Sequence, residues 1–431
     1  MSADRPGLAA RRAALQLLEG VQQRGLLLDE MTRPLAPLEP GDRARAITLA
    51  RGVLRDIGRL DAVLAQFMAR KPEPEPLDIL RLATWEMLRD GIAAHAAVDS
   101  AVALAQENAR ARRAAGLINA VSRKVAALEE INWDELPHMD LPAPLAGPIG
   151  RAYGKANLAI MMDVQAQVPP LDITLKNPND AAEWAEKLGA VVLPTGSLRM
   201  DARVQVSTLP GYAEGAWWVQ DTAAAQPVRL AGDVDGLRAL DMCAAPGGKT
   251  MQLAAAGADV TAIDNAEHRL ERLRENLART QLSAKIIAAD ALQWSPQSPF
   301  DLIVLDAPCT ATGTIRRHPD LPFVKDLDDI RPLLKLQADL LYRALGWLTP
   351  NGRLIYCTCS LLPAEGETQI AKLLARRATV RQIIPDCPSG LQPEWLDDKG
   401  NLRLRPDYWA DRGGMDGFFA AMLGLQAKPG L

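Results

Sequence analysis

Apolar residues recur at helical spacing along the first third of the chain. Leu15, Leu18 and Val21 form one stripe, and Ile79, Leu82, Ala83 and Met87 another, which predicts an all-α region. Pro72, Pro74 and Pro76 each lack a backbone donor, so residues 71–76 are expected to form a loop between helices. A second group, Pro137, Pro142, Pro144 and Pro148, predicts a linker and sets a domain boundary near residue 140. From about 150 to 230 the pieces are short: residues 171–175 alternate like a strand, 180–188 read as a capped helix, and 217–220 as another strand. Beyond 236, strand-like runs at 237–242, 260–263, 285–289, 301–305 and 353–357 alternate with helical segments. One of these, 267–280, carries Leu270, Leu273 and Leu277 on one face. Such alternation predicts a doubly wound α/β sheet with a largely parallel core. The expected organisation is a helical domain over 1–138, a linker and small α/β connector over 139–230, and an α/β domain over 231–431.

Composition sets outer bounds on this picture. A chain of 431 residues is too long for one ordinary core, and 48% hydrophobic with 24% charged residues is typical of a soluble globular protein. No uncharged apolar run is long enough to span a bilayer, and Arg11 and Arg12 interrupt the only candidate signal-peptide core. Five cysteines without regular spacing argue for a reducing compartment, so a cytoplasmic location is expected. Four scattered histidines and no second cysteine pair argue against a zinc site, so no metal is expected. A net charge of -4 requires any nucleic-acid surface to be local. Two stretches carry such a local excess: Arg43, Arg45, Arg51, Arg55 and Arg59, then Arg110, Arg112, Arg113, Arg123 and Lys124. Each is read either as an RNA grip or as a solvated helix face.

The α/β region opens with a glycine turn, Asp241-Met-Cys-Ala-Ala-Pro-Gly-Gly-Lys-Thr250. Its Gly-Lys-Thr end matches the close of a phosphate-binding loop, but Cys243 stands where that loop needs glycine, and Pro246 removes one cradling amide. The dinucleotide fingerprint is absent. A third reading is a strand-to-helix turn of small residues that admits the methionine part of S-adenosylmethionine. Asp264, Asp290 and Asp306 then end successive strands, where open α/β sheets bind ligands. Asp264 is placed for the ribose hydroxyls and Asp290 for the adenine amino group.

Two thiols follow strand-like runs in the same region: Cys309 in Leu305-Asp-Ala-Pro-Cys309 and Cys359 in Tyr356-Cys-Thr-Cys-Ser360. Beside a nucleotide-like cofactor, such a pair suits methylation of cytosine at C5. C5 is a poor nucleophile until a thiolate adds to C6 and turns the ring into an enamine. A free thiol near pKa 8.5 is only a few per cent ionised at neutral pH, so activation is required. Asp306 is the candidate to draw electrons from the ring at N3, and the second thiol is a candidate base for the closing elimination. Spacing does not decide which thiol attacks. Arg316, Arg317 and His318, in the loop after Cys309, are candidates to meet RNA phosphates or stack on a base.

The glycine turn, the Asp-Ala-Pro-Cys run and Cys357-Thr-Cys-Ser360 together resemble the signature motifs of the Sun-type RNA cytosine-C5 methyltransferases. The loop 310–320 and Asp416-Gly-Phe-Phe419 are similar to the bacterial Sun/Fmu branch that modifies small-subunit ribosomal RNA. Ile79-Leu-Arg-Leu-Ala-Thr-Trp85-Glu86 and Gly116-Leu-Ile-Asn-Ala-Val121 are similar to the NusB-like N-terminal domain of that branch. The resemblance implies a NusB-like RNA-binding domain, a connector and a Rossmann-like class I methyltransferase domain. It implies that Cys243, Ala244, Ala245, Pro246, Gly247, Gly248 and Lys249 wrap the methionine end of S-adenosylmethionine. By the same likeness Asp264 holds ribose, Asp290 adenine, and Asp306 lies between cofactor and base. Cys359 matches the nucleophile and Cys309 the cysteine that releases product. The partner implied is 16S ribosomal RNA, naked or in an early assembly intermediate, with no obligate protein partner. Transfer RNA is the alternative substrate; a P-loop hydrolase and a non-catalytic RNA scaffold are the alternatives in other classes. One departure is Lys176-Asn177-Pro178 after Leu175, where the pattern has Arg-x-Asn.

Overall fold

A computed structural model describes residues 7–201, 204–324 and 330–426. The chain divides into two compact units, Met1–Gly147 with Ile315–Asp326, and Pro148–Thr314 with Leu327–Leu431.

The first unit is built from α1 (Leu8–Arg24), α2 (Pro40–Ala65), α3 (Pro74–Leu88), α4 (Ala94–Glu107) and α5 (Ala115–Ala126). The predicted stripes face its core, with Leu18, Val21, Ile79 and Leu82 at most 1% exposed. The expected loop 71–76 is shorter than predicted. Pro74 and Pro76 lie in the first turn of α3, where a missing N–H breaks no helical bond. The proline-rich stretch around 140 likewise carries α6 (Ala143–Tyr153), with Pro148 inside the helix.

The segment 315–324 belongs to this helical unit although it follows the Cys309 loop in sequence. Asp320 accepts the Leu28 backbone N–H at 2.9 Å, the Arg316 carbonyl accepts from Arg55 at 2.8 Å, and Phe323 packs on the helical core.

The second unit takes up the chain at Pro148, within α6, and continues with α7 (Lys155–Gln165) and a four-stranded antiparallel sheet. Its strands are β1 (Leu171–Leu175), β2 (Val191–Val192), β3 (Leu198–Met200) and β4 (Trp217–Val219), in the order β2-β3-β1-β4, with α8 (Ala181–Leu188) between β1 and β2. Ile173, Leu198 and Trp217 fill its core, and a buried Arg199–Asp172 ion pair at 2.7 Å ties β3 to β1.

The larger sheet follows α9 (Gln226–Leu230). It comprises β5 (Arg238–Met242), β6 (Asp259–Asp264), β7 (Lys285–Ala288), β8 (Phe300–Asp306), β9 (Leu348–Thr358), β10 (Val380–Ile383), β11 (Leu402–Leu404) and β12 (Phe418–Leu425). Helices α10 (Gly248–Ala255), α11 (Glu267–Thr280), α13 (Ile330–Leu345) and α14 (Glu367–Arg376) connect these strands, and the short α12 (Leu321–Val324) lies in the other unit. The order is β10-β12-β9-β8-β5-β6-β7, with β11 paired to β12. Pairing is parallel from β7 through β9 and antiparallel at β12. Both faces are covered: Ile303 and Leu305 of β8 pack on the side of α13, while Leu302 and Val304 pack on the side of α9 and α10. That is why β8 reads as a continuous apolar run. The chain runs from β5 to β6 on one side and returns to β8 on the other, so the switch point lies at the carboxyl ends of β5 and β8.

Candidate functional site

The glycine turn leaves β5 at that switch point. Cys243 adopts a left-handed φ of 59°, and Gly247 a φ of 108° at the N-cap of α10. The φ of Gly247 requires glycine there, and a Cβ would also lie 2.2 Å from Leu273 Cδ1, so that leucine would have to move. Ala244 and Ala245 are buried. Asp264, 4% exposed, laces the turn to the next strand: its Oδ2 accepts from the Ala245 N–H at 3.1 Å and its Oδ1 from the Ala266 N–H at 3.0 Å. Each oxygen keeps a further lone pair. Asp290 is half-buried and accepts from the Leu292 N–H at 2.9 Å and Gln293 Nε2 at 3.0 Å. An acceptor-rich rim around a turn of small residues fits the hydroxyl, amino and sulfonium groups of S-adenosylmethionine.

Lys249, at the start of α10, does not extend into solvent as a phosphate ligand would. Its Nζ donates to Asp306 Oδ2 at 2.7 Å and lies 5.1 Å from the centre of the Phe418 ring. Burial disfavours the lysine charge, but Asp306, Cys357 and Asp241 outweigh it and raise the lysine pKa. Asp306 ends β8 with a third of its side chain exposed.

Asp241 lies beneath this pair. Its Oδ2 accepts from Thr250 Oγ1 at 2.6 Å, and its Oδ1 is buried without a partner. Burial is the main cause that pushes its carboxyl up from 3.8 to about 7, against the Thr250 hydrogen bond and the Lys249 charge. With the folded value above the unfolded one, the native state binds the proton more tightly. This contribution to stability is therefore present below pH 4 and lost as pH rises to about 7. The stability of wild type relative to Asp241→Asn is expected to fall between pH 4 and 7. Urea midpoints of both proteins across that range check this, and parallel curves would contradict it.

The two candidate thiols meet. Cys359 follows the end of β9, Cys309 lies three residues past β8, and their sulfurs are 3.5 Å apart. The Cys309 thiol is pushed well up, first by its hydrogen bond with Cys359 and then by burial, with the Glu365 charge adding. Cys309 therefore keeps its proton in this arrangement. The other cysteines differ in kind. Cys357 is buried, with its thiol pushed well up by burial and by Asp306; Cys243 is pushed up to about 12 by burial and by Asp264. Cys387 is exposed.

Two features near the thiols escape a reading of the sequence. Gly313 donates its N–H to the Cys359 carbonyl at 2.9 Å and accepts from the Gly417 N–H at 2.8 Å, so Asp416-Gly-Phe-Phe419 backs the Cys309 loop. A Cβ on Gly313 would lie 2.1 Å from the Gly417 carbonyl oxygen. The second is Glu365, which is fully buried and accepts hydrogen bonds from Thr310, Ser360 and Gln337. A glutamate in a Pro-Ala-Glu-Gly turn carries no local signal of such a place.

The residues expected to contact RNA divide. Arg316 is fully buried within the helical unit, so its side chain is not a surface ligand for phosphate there. Arg317 is half-buried, and His318 has 39% of its side chain exposed, with Nδ1 3.8 Å from Asp29. The first arginine stretch is largely structural. Arg45 pairs with Glu86 and Asp90, Arg51 pairs with Asp29, and Arg59 is 8% exposed beside Asp56. Arg110, Arg112, Arg113, Arg123 and Lys124 are exposed. Among the described residues no helix is long and apolar enough to cross a membrane.

Residues 230–424 match the family described as 16S rRNA methyltransferase RsmB/F, and residues 8–127 match the NusB family. A ribosomal RNA small subunit methyltransferase B of Pseudomonas syringae pv. tomato is 34% identical over 439 residues, covering 97% of this chain and 96% of that protein. The protein of the same name in Pseudomonas putida is 35% identical over 441 residues, covering 97% and 98%. Among solved structures, a methyltransferase homolog protein from Pyrococcus horikoshii superposes with a TM-score of 0.55 at 26% identity, covering 65% of this chain and 94% of that one.

Proposed function

Because this chain belongs to the RsmB/F family of 16S rRNA methyltransferases, we propose that it methylates C5 of one cytosine in small-subunit ribosomal RNA through a covalent bond between Cys359 and C6. The observation that carries this reading is the pair of thiols 3.5 Å apart on the loops that follow β8 and β9, with the Asp306–Lys249 pair at the end of β8. S-adenosylmethionine, when bound, supplies an electrophilic methyl group. Cys243 to Lys249, Asp264 and Asp290 are the residues that hold it.

The protein's own groups then act in order. Cys359 adds to C6 as a thiolate, converting a ring that resists electrophiles into an enamine. As the C6–S bond forms, N3 takes a proton from the Lys249–Asp306 pair, passed on by the Asp306 carboxyl that faces it, so that no negative charge is left on the ring, and the proton returns when the ring is restored. Once the Cys359 sulfur is bound to carbon, the two interactions with it that hold the proton on Cys309 disappear. Cys309 then gives up its proton to solvent more readily; once C5 carries the methyl group, the Cys309 thiolate takes the C5 proton, the C5–H electron pair forms the C5–C6 double bond, and Cys359 leaves C6 as a thiolate. The target cytosine has to be unpaired or flipped out, at a cost of a few kcal/mol. Exposed Arg112, Arg113, Arg123 and Lys124 on the NusB-like unit add electrostatic grip, while Arg110 is paired with Glu75 at 2.7 Å.

Bisulfite sequencing of ribosomal and transfer RNA from cells with and without the protein tests this. One cytosine signal in small-subunit ribosomal RNA is expected to vanish with the protein. A loss confined to transfer RNA reassigns the substrate. Unchanged RNA, with no labelled methyl transferred to naked RNA or to assembled subunits, removes the enzymatic reading.

A further inference from the structure

The two thiol-bearing loops are joined by a carboxylate outside the reacting set. Glu365 Oε1 accepts from the Thr310 backbone N–H at 3.0 Å and from Gln337 Nε2 at 2.9 Å, and its Oε2 accepts from the hydroxyls of Thr310 and Ser360, both at 2.5 Å. Thr310 follows Cys309 directly and Ser360 follows Cys359 directly. One side chain thus holds the residue next to each thiol.

The surrounding donors are arranged around a group that accepts. Ser360 Oγ receives the Leu362 N–H at 3.0 Å, and the Ser360 and Thr310 hydroxyls lie nearer to Glu365 Oε2, at 2.5 Å, than to each other, at 3.2 Å, so their protons point at Glu365. Four donors converge on a group that only accepts. A buried carboxylate is tolerated where such bonds replace its lost hydration.

We propose that Glu365 is a positioning residue that clamps the Cys309 loop to the Cys359 loop, holding the two thiols in register for successive use. This rests on the reading that both thiols serve one covalent cycle. The clamp spans the thiols without touching them, and α13 fixes it from behind through Gln337. In Glu365→Gln, the new NH2 must face either the Thr310 N–H and Gln337 NH2, which are fixed donors, or the two hydroxyls, which must then turn their protons away. Thr310→Val removes one donor, keeps the backbone N–H and preserves side-chain shape.

The test uses the full-length protein with both variants. It measures kcat and KM for RNA and cofactor, thermal melting, and capture of the thiol pair by phenylarsine oxide, which must bridge two adjacent sulfurs. For Glu365→Gln the clamp predicts a kcat loss of about 10²-fold, the scale of a misplacement near 1 Å. KM is unchanged and arsenical capture is lost while the fold still melts cooperatively. Thr310→Val shows the same pattern more weakly. Wild-type kcat and capture in both variants overturn the proposal, as does a lowered melting temperature with normal kcat in the folded fraction. Should Cys359→Ala leave turnover intact, the covalent cycle fails by itself, and arsenical capture still reports whether Glu365 holds the thiols together.

Discussion

Cys359→Ala is expected to abolish methyl transfer and to leave no protein–RNA adduct, whereas Cys309→Ala still attacks and accumulates a covalent complex on denaturing gels. The expected loss for Cys359→Ala is on the order of 10⁶-fold, as for removal of a covalent nucleophile elsewhere. Cys357 does not replace it, since it is buried with its thiol pushed well up by burial. The opposite phenotype for Cys309→Ala follows from order of use. Attack and methylation need one sulfur, but departure of the C5 proton needs a base, and removal of that base strands the enzyme on its product. Denaturing gels of each variant with labelled RNA and cofactor decide the matter. An adduct seen only with the Cys359 variant reverses the roles, and no adduct with either variant argues against a covalent path.

The catalytic sheet was legible because its strands and helices are strongly periodic. The predicted helix 267–280 coincides with α11 to the residue, since Leu270, Leu273 and Leu277 recur on one face and Gln281 leaves the helix with a left-handed φ of 53°. The antiparallel edge was less legible. β12 is buried along almost its whole length, so Phe418–Leu425 shows no alternation to mark it as a strand. Charge misled where pairing is long-range: Arg45 reads as a surface cation until Glu86, 41 residues away, is placed against it. Glu365 was invisible for the same reason, because its partners lie at 310, 337 and 360. The thiols were legible individually as strand-end residues. Their 3.5 Å approach depends on β8 and β9 lying side by side and parallel, which local pattern does not specify.

Asp306→Asn is expected to lower kcat by about 10²- to 10⁴-fold, the range for loss of a positioned acid–base group, and also to destabilise the fold. The second effect comes from Lys249, whose side chain is 8% exposed and whose Nζ has Asp306 as its carboxylate partner at 2.7 Å. Removal of one partner strands the other charge, at a cost of about 3 kcal/mol, the lower end of the range for buried pairs because Asp306 is a third exposed. Lys249→Met strands the carboxylate instead, and less severely, since Asp306 reaches solvent. The double variant removes both charges and places an apolar chain near Phe418, so it is expected to recover most of the stability while activity stays lost. Because Lys249 also belongs to the cofactor turn, the deciding variant is Asp306→Asn: a rate loss in its folded fraction marks a carboxylate needed for chemistry, and a stability loss alone marks one needed only to neutralise the lysine. Urea midpoints and single-turnover rates for the three variants measure it. Recovery of activity along with stability in the double variant would make Asp306 a structural counter-ion, and the electron-withdrawing role at N3 would have to lie with another group.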